Sequence, residues 1–128
     1  MTHLLDTHAF LWFIAGSDQL SSHARARIED ENNDRLLSVA GLWEMAIKTS
    51  LGKLDVPLPF TRLVRTHVTG NAIDVLSIEP EHLDVQRQMP FHHHEPFDRL
   101  ILAQAVAEDI PVISRDDAFA EYPVRVIW

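Results

Sequence analysis

The chain has 128 residues, 46% of them apolar and 23% charged, which excludes disorder and low complexity and suits one ordinary domain that buries roughly two-thirds of its unfolded surface. It contains 0 Cys, which removes disulfide scaffolds, thiol catalysis and Cys-ligated zinc and agrees with a reducing cytoplasm. With 11 Lys plus Arg against 19 Asp plus Glu, the net charge of −8 argues against a passive nucleic-acid binder unless bound cations or local Arg/Lys clusters reverse the field where it matters.

The opening MTHLLDTHAFLWFIAG is apolar but lacks a basic start and carries His3, Asp6 and His8 within it, so it reads as part of the folded domain and not as a signal peptide. HLL, residues 3 to 5, forms a short apolar strand ending at Asp6, and Thr7 to Ala15 a helix stopped by Gly16. Ser21 or Ser22 caps a helix through about Glu31. Arg35 to Val39 is the next strand, followed by a helix from about Ala40 to Ser50 with Gly52 just past its end. Pro57 and Pro59 punctuate the approach to a helix near Phe60 to Thr69, AIDVLSI (72 to 78) alternates as a strand does, and Pro80 opens a helix ending near Met89. In HHHEPFDRLILAQA (92 to 105) an acid, Asp98, stands where burial should begin, because from Leu100 to Ala107 only Gln104 is polar. PVIS (111 to 114) is a strand, Asp116 to Tyr122 a turn or short helix, and VRVIW the last strand. No apolar run reaches the roughly 18 residues of a membrane helix, so a soluble cytoplasmic protein is expected. Strands alternating with helices predict an α/β domain with a mainly parallel sheet.

Open parallel sheets bind ligands outside the carboxyl ends of their strands, and four acids occupy such places. Asp6 follows the first strand, Glu44 lies in the first turns after the second, Asp98 starts the buried helix, and Asp116 follows PVIS. Each also has an ordinary reading. Asp6 can cap the helix behind it, Glu44 stands four residues before Lys48 in the favourable order for an ion pair, Asp98 suits a helix dipole, and Asp116 and Asp117 suit a turn. Together they imply more, because clustered acids repel one another unless a cation or a shared proton relieves them. Mg²⁺ or Mn²⁺ supplies that relief through oxygen ligands and is usually completed by substrate phosphate. On this reading the acids need only stay ionised, with no unusual pKa.

LLDTHAFLW (4 to 12), LWEMAIKTSLGKL (42 to 54), EPFDRLILAQA (95 to 105) and SRDDAFAEY (114 to 122) resemble the four signature stretches of PIN-domain ribonucleases, especially the VapC-type toxins of type II toxin–antitoxin pairs. The resemblance runs from the first strand nearly to the last residue. It implies an α/β/α sandwich, divalent-metal-dependent cleavage of RNA, a homodimer, and a cognate antitoxin partner. Asp6, Glu44 and Asp98 match the family's three core metal-site acids, and Asp116 the more variable fourth. The family usually has Asp where this chain has Glu95, so an extra methylene there alters a capping or supporting contact; Asp117, beside Asp116, is a competing cap.

Other residues have two readings each. Thr7 is either a cleft hydroxyl, as the resemblance suggests, or a cap. The His92 to His94 run reads as solvated loop residues more than as a transition-metal site, although His93 matches a His often seen before this motif in the family. Arg99 is a carboxylate- or phosphate-contacting residue or a surface one. Arg25, Arg27, Arg62 and Arg65 are an RNA-contacting rim or solvated faces, and Trp12, Trp43 and Trp128 are core or dimer-interface residues before base-stacking platforms. The expected function is a metal-dependent endoribonuclease toxin. The alternatives are a phosphatase with Asp6 as nucleophile and a non-enzymatic interaction module whose acids are caps and surface pairs.

Overall fold

A computed structural model describes residues 1–56 and 59–128; the expected role of Pro57 falls outside them. Strands β1 (Thr2–Leu5), β2 (Asp34–Ser38), β3 (Asp74–Leu76), β4 (Val112–Ile113) and β5 (Val126–Ile127) form one sheet in the order β3-β2-β1-β4-β5. Every pairing is parallel, with Leu5 level with Leu37 on one side and Ile113 on the other. The α/β expectation with a parallel sheet is therefore met.

Both faces of the sheet are covered, as parallel strands require. Because successive side chains point to opposite faces, Leu5, Leu37, Ile113 and Ile127 enter one core while their neighbours Leu4, Leu36, Val112 and Val126 enter the other. The first core is closed by helices α1 (Thr7–Ala15) and α2 (Ser22–Glu29), through Ala9, Phe10, Ala24 and Ile28. The second is closed by α6 (Pro96–Glu108), whose residues Arg99 to Ala105 are all buried, with α5 (Pro80–Gln88) packed against it. The result is an α/β/α sandwich, completed by α3 (Val39–Ser50) and α4 (Phe60–Leu63).

Several expected signals operate as read. Gly16 ends α1 in the left-handed conformation (φ 63°), where a side chain would be strained. The Ser21 hydroxyl accepts the Ala24 amide at 3.0 Å, and Pro80 opens its helix; the buried helix starts at Pro96, two residues before the Asp98 expected to begin it. The single polar residue between Leu100 and Ala107 of α6, Gln104, joins three elements: it accepts the Ser38 hydroxyl at the end of β2 and donates to the Ser77 carbonyl beyond β3.

Besides small shifts, such as the strands expected at 111 to 114 and 124 to 128 shortening to Val112–Ile113 and Val126–Ile127, three boundaries differ for visible reasons. Helix α2 ends at Glu29 because the Asp30 carboxylate accepts the Asn32 amide at 2.9 Å and turns the chain. The helix expected over 60 to 69 starts as α4, widens into a turn of five-residue hydrogen bonds over Val64–Val68, and tightens over Thr69–Asn71. Its end places Ala72 at φ 55°, with the Ala72 and Ile73 amides donating back to Thr69 and Val68. That terminus shortens the expected strand 72 to 78 to Asp74–Leu76.

Candidate functional site

The strand order reverses at β1, since β2 and β3 lie on one side and β4 and β5 on the other. At such a switch point the loops leaving adjacent strands part and open a crevice. Asp6 leaves β1 there, its amide donating to the Ile113 carbonyl at 3.1 Å, and Ser114 to Asp116 leave β4 alongside. Asp6, Asp98 and Asp116 line one open cleft of about 260 Å³, with His8, Trp12 and Arg115 completing its lining. The Arg115 guanidinium lies 5.7 Å from the Trp12 ring and donates to Gln19 Oε1 at 2.7 Å.

Asp6 and Asp116 are also helix caps. Asp6 Oδ1 accepts the Ala9 amide at 2.7 Å, and Asp116 Oδ1 accepts the Ala118 amide at 2.9 Å. Asp116 therefore caps the short turn of helix Asp117–Glu121, while Asp117 is exposed. Of the two adjacent acids, Asp116 is the cap and the one that lines the cleft. Asp98 does no capping. Glu95 caps α6, its Oε2 accepting the Asp98 amide at 2.6 Å, so the residue that departs from the family pattern has a capping role.

Glu44 does not line the cleft, but its charge acts on Asp98. It is 3% exposed, and its Oε2 accepts Lys48 Nζ at 2.7 Å, the expected helix ion pair. Its other oxygen, Oε1, is buried without a hydrogen-bond partner among the described residues. Gly41, one turn earlier on the same face of α3, lets that face approach α1: a Cβ there would stand 3.0 Å from Thr7 Oγ1. The Thr7 hydroxyl is likewise buried without a partner.

The acids act on one another. The Asp98 carboxyl is pushed up to about 8, first by burial and then by the charges of Glu95, Glu44, Asp6 and Asp116. Burial also raises Asp6, against the opposing effect of the Ser114 hydroxyl and the Ala9 amide. The expectation of ordinary carboxylates is therefore corrected for the metal-free protein, because helix N-termini do not offset burial plus four neighbouring acids. Lys48 is held above the usual range for lysine by its hydrogen bond to Glu44, with Glu95 and Asp98 acting in the same direction.

His93 was expected to be a solvated loop residue, and the structure corrects this. Its side chain is 13% exposed and its Nε2 lies 2.8 Å from Asp116 Oδ2 and 3.2 Å from Asp98 Oδ2. Among the described residues, His93, Asp98 and Asp116 are the group whose ligand atoms all lie within 4.8 Å of one another. The signal available in the sequence was the position of His93, five residues before Asp98.

Arg99 is also corrected. It is 5% exposed and contacts no carboxylate among the described residues; its guanidinium donates to the carbonyls of Gln86, Met89, Pro90 and His93. Arg25, Arg27, Arg62 and Arg65 do not line the acid cleft. Trp12 and Trp128 pack edge to face at 5.9 Å, whereas Trp43 is 56% exposed and meets Phe97 at 5.1 Å, which takes it out of the core. No helix among the described residues is long and apolar enough to cross a membrane.

A family model described as PIN domain matches residues 3–124. A comparison with curated protein sequences finds no match. Among solved structures, the chain is similar to one of VapBC2 from Rickettsia felis bound to a DNA fragment from their promoter, with a TM-score of 0.75, 14% identity, and coverage of 99% of this chain and 98% of that one. It is similar to FitAcB from Neisseria gonorrhoeae, with a TM-score of 0.67, 17% identity, and coverage of 98% and 96%. It is also similar to VapBC-5 from Mycobacterium tuberculosis, a member of the VapBC family of toxin–antitoxin systems, with a TM-score of 0.63, 18% identity, and coverage of 98% and 97%. At these identities the likeness concerns the fold.

Proposed function

The chain belongs to the PIN domain family, and from that premise we propose that it is a divalent-metal-dependent endoribonuclease, the toxin of a toxin–antitoxin pair. PIN domain proteins are nucleases. The observation that carries the reading is the convergence of Asp6, Asp98 and Asp116, far apart in sequence, on one cleft at the switch point of the sheet.

Asp6, Glu44, Asp98 and Asp116 are the residues proposed to hold the ion. They fit a hard cation: every donor is a carboxylate oxygen, Glu44 Oε1 is buried with no hydrogen-bond partner among the described residues, and the charges of Glu95, Glu44, Asp6 and Asp116 add to burial in raising Asp98. Mg²⁺ is the proposed ion, with Mn²⁺ as an alternative. When bound, it would polarise a phosphoryl oxygen and lower the pKa of the attacking water. The protein's own residues do the remainder. Asp6 and Asp116 are fixed by their capping bonds, which leaves each with a second oxygen, that of Asp116 lying 2.8 Å from His93 Nε2. Asp98, freed from capping by Glu95, lines the cleft with a carboxylate whose Oδ2 lies 3.2 Å from His93 Nε2. Arg115, at the rim, is placed to meet an incoming phosphate without neutralising the acids.

Similarity to VapBC-5 and the four signature stretches support a toxin role, an antitoxin partner, a homodimer and a cytoplasmic setting where RNA is the substrate. The test uses purified partner-free protein and mixed RNA in Mg²⁺, Mn²⁺ or EDTA, with Asp6→Asn and Asp98→Asn variants shown to be folded. Cleavage should need metal and both acids. Metal-dependent cleavage that persists unchanged in both variants would remove the proposed site, and a covalent phosphoenzyme at Asp6 would favour a phosphatase instead.

A further inference from the structure

We propose that His93 is a positioning residue of this site, which holds Asp98 and Asp116 through one shared Nε2–H and does not itself ligate the ion. The inference rests on the metal-site reading above. Its basis is the location of one proton. His93 Nδ1 lies 3.2 Å from the Glu95 backbone nitrogen. A backbone N–H can only donate, so Nδ1 accepts, and the ring hydrogen is on Nε2. That hydrogen points at Asp116 Oδ2 (2.8 Å) and Asp98 Oδ2 (3.2 Å). With the hydrogen there, the Nε2 lone pair is not open to a cation. Ligation would require breaking the Glu95 contact or stripping a neutral imidazole of its last N–H.

The ring is held on every side that matters. It meets Phe119 edge to face at 5.7 Å, in the turn that Asp116 caps. The His93 amide donates to the Tyr122 hydroxyl at 2.8 Å, and that hydroxyl donates to the Pro90 carbonyl at 2.7 Å. The His93 carbonyl accepts Arg99 Nη1 at 3.2 Å, and Arg99 is the residue after Asp98 in α6. The loop before α6 is thus tied both to the turn carrying Asp98 and to the segment carrying Asp116. A single donor between these two carboxylates sets their separation before an ion arrives. This is the work that partners of metal-binding carboxylates do.

Two measurements test the proposal on the full, partner-free chain. The first is long-range ¹H–¹⁵N NMR of the wild-type protein with and without Mg²⁺. The Nε2–H tautomer of His93 should be present in both. A switch to Nδ1–H on adding Mg²⁺ would make His93 a ligand and overturn the proposal. The second is Mn²⁺ binding, followed by electron paramagnetic resonance, in His93→Phe, which keeps a ring against Phe119 without a donor, and His93→Gln, which restores an N–H donor. His93→Phe should bind Mn²⁺ about 10- to 100-fold more weakly, and His93→Gln should recover most of that loss. Wild-type affinity in His93→Phe would sink the proposal, as would an equal loss in a folded His93→Gln; if His93→Phe fails to fold, His93→Gln and the tautomer decide. RNA cleavage separates the two levels of inference. Intact metal-dependent cleavage with no effect of either substitution removes the role of His93 alone. Weakened Mn²⁺ binding in a protein that cleaves no RNA removes the nuclease reading alone, and a wild-type protein that binds no Mn²⁺ removes both.

Discussion

Glu95 caps the helical turn that carries Asp98, its Oε2 accepting the Asp98 amide at 2.6 Å, and the same Glu95 helps push the Asp98 carboxyl upward. One residue thus supports the site acid structurally and burdens it electrostatically. Glu95→Ala should lower stability by about 1 kcal/mol, the usual cost of a lost N-cap, measured by urea unfolding. In the same variant the Asp98 carboxyl should titrate at lower pH, followed by ¹³C NMR. An unchanged or higher Asp98 pKa would show that Glu95 does not act on it.

The pH dependence follows from the direction of the Asp98 and Asp6 shifts. Both carboxyls are raised in the folded, metal-free protein, so between the unfolded carboxylate pKa and about 8 the native state holds more protons than the unfolded one. Stability from these groups is full below the unfolded pKa and is lost as pH rises through the folded value. The thermal midpoint of the metal-free protein should carry a component that falls from about pH 4 to pH 8. Binding of Mg²⁺ must displace the Asp98 proton, so apparent affinity should rise about tenfold per unit as pH climbs toward 8. Calorimetry in buffers of different ionisation enthalpy measures that proton release directly; metal binding that releases none would contradict it.

Asp98→Asn should separate stability from activity. The amide keeps the shape of the carboxyl and removes a charge that burial and four neighbouring acids oppose. At pH 8 and without metal, the variant should be at least as stable as the parent. It should lose most of the stabilisation that Mg²⁺ gives, read as a rise in thermal midpoint, which for the parent is about 2.7 kcal/mol at 100 times Kd. Cleavage of RNA should fall by at least about 100-fold, since the ion's charge stabilisation is worth several kcal/mol. A variant that is both destabilised and fully active would reverse both expectations.

Arg99 tests the scaffold below the site. Its buried guanidinium serves the carbonyls of Gln86, Met89, Pro90 and His93 and lies 4.0 Å from the centre of the Phe91 ring. Arg99→Met leaves those carbonyls without a donor, so a loss of about 3 kcal/mol or more is expected in urea unfolding. Arg99→Lys should recover little, because a point-like ammonium cannot reach carbonyls spread around a planar fork. Recovery to near-parent stability by Lys would show that charge, and not the fork, is what the loop requires.

Much of the fold was readable in one dimension because its signals act over one to four residues. Asp6 as both strand end and cap, Gly16 as a helix stop, Ser21, Pro80 and the Glu44 to Lys48 pair all involve partners within a helical turn. The errors fell where an adjoining turn or a longer-range contact overrode the periodic pattern. The AIDVLSI alternation suits a strand over its whole length, yet the preceding turns end in a left-handed Ala72 and delay pairing until Asp74. Arg99 was ambiguous for the same kind of reason: nothing within a helical turn of it names the four carbonyls it serves, the nearest of which belongs to His93, six residues earlier.

The sequence by itself determined an α/β chain with a parallel sheet and acids at strand and helix ends, because periodicity and capping are local physics. Only the tertiary structure decided that β4 lies beside β1, and so that Asp116 shares a cleft with Asp6 and Asp98. It also decided that His93 spans two of those acids and that burial, with the charges of neighbouring acids, raises Asp98 to about 8. Burial and Coulomb forces depend on distance through space, and the order of residues along a chain does not contain that distance until the sheet is assembled.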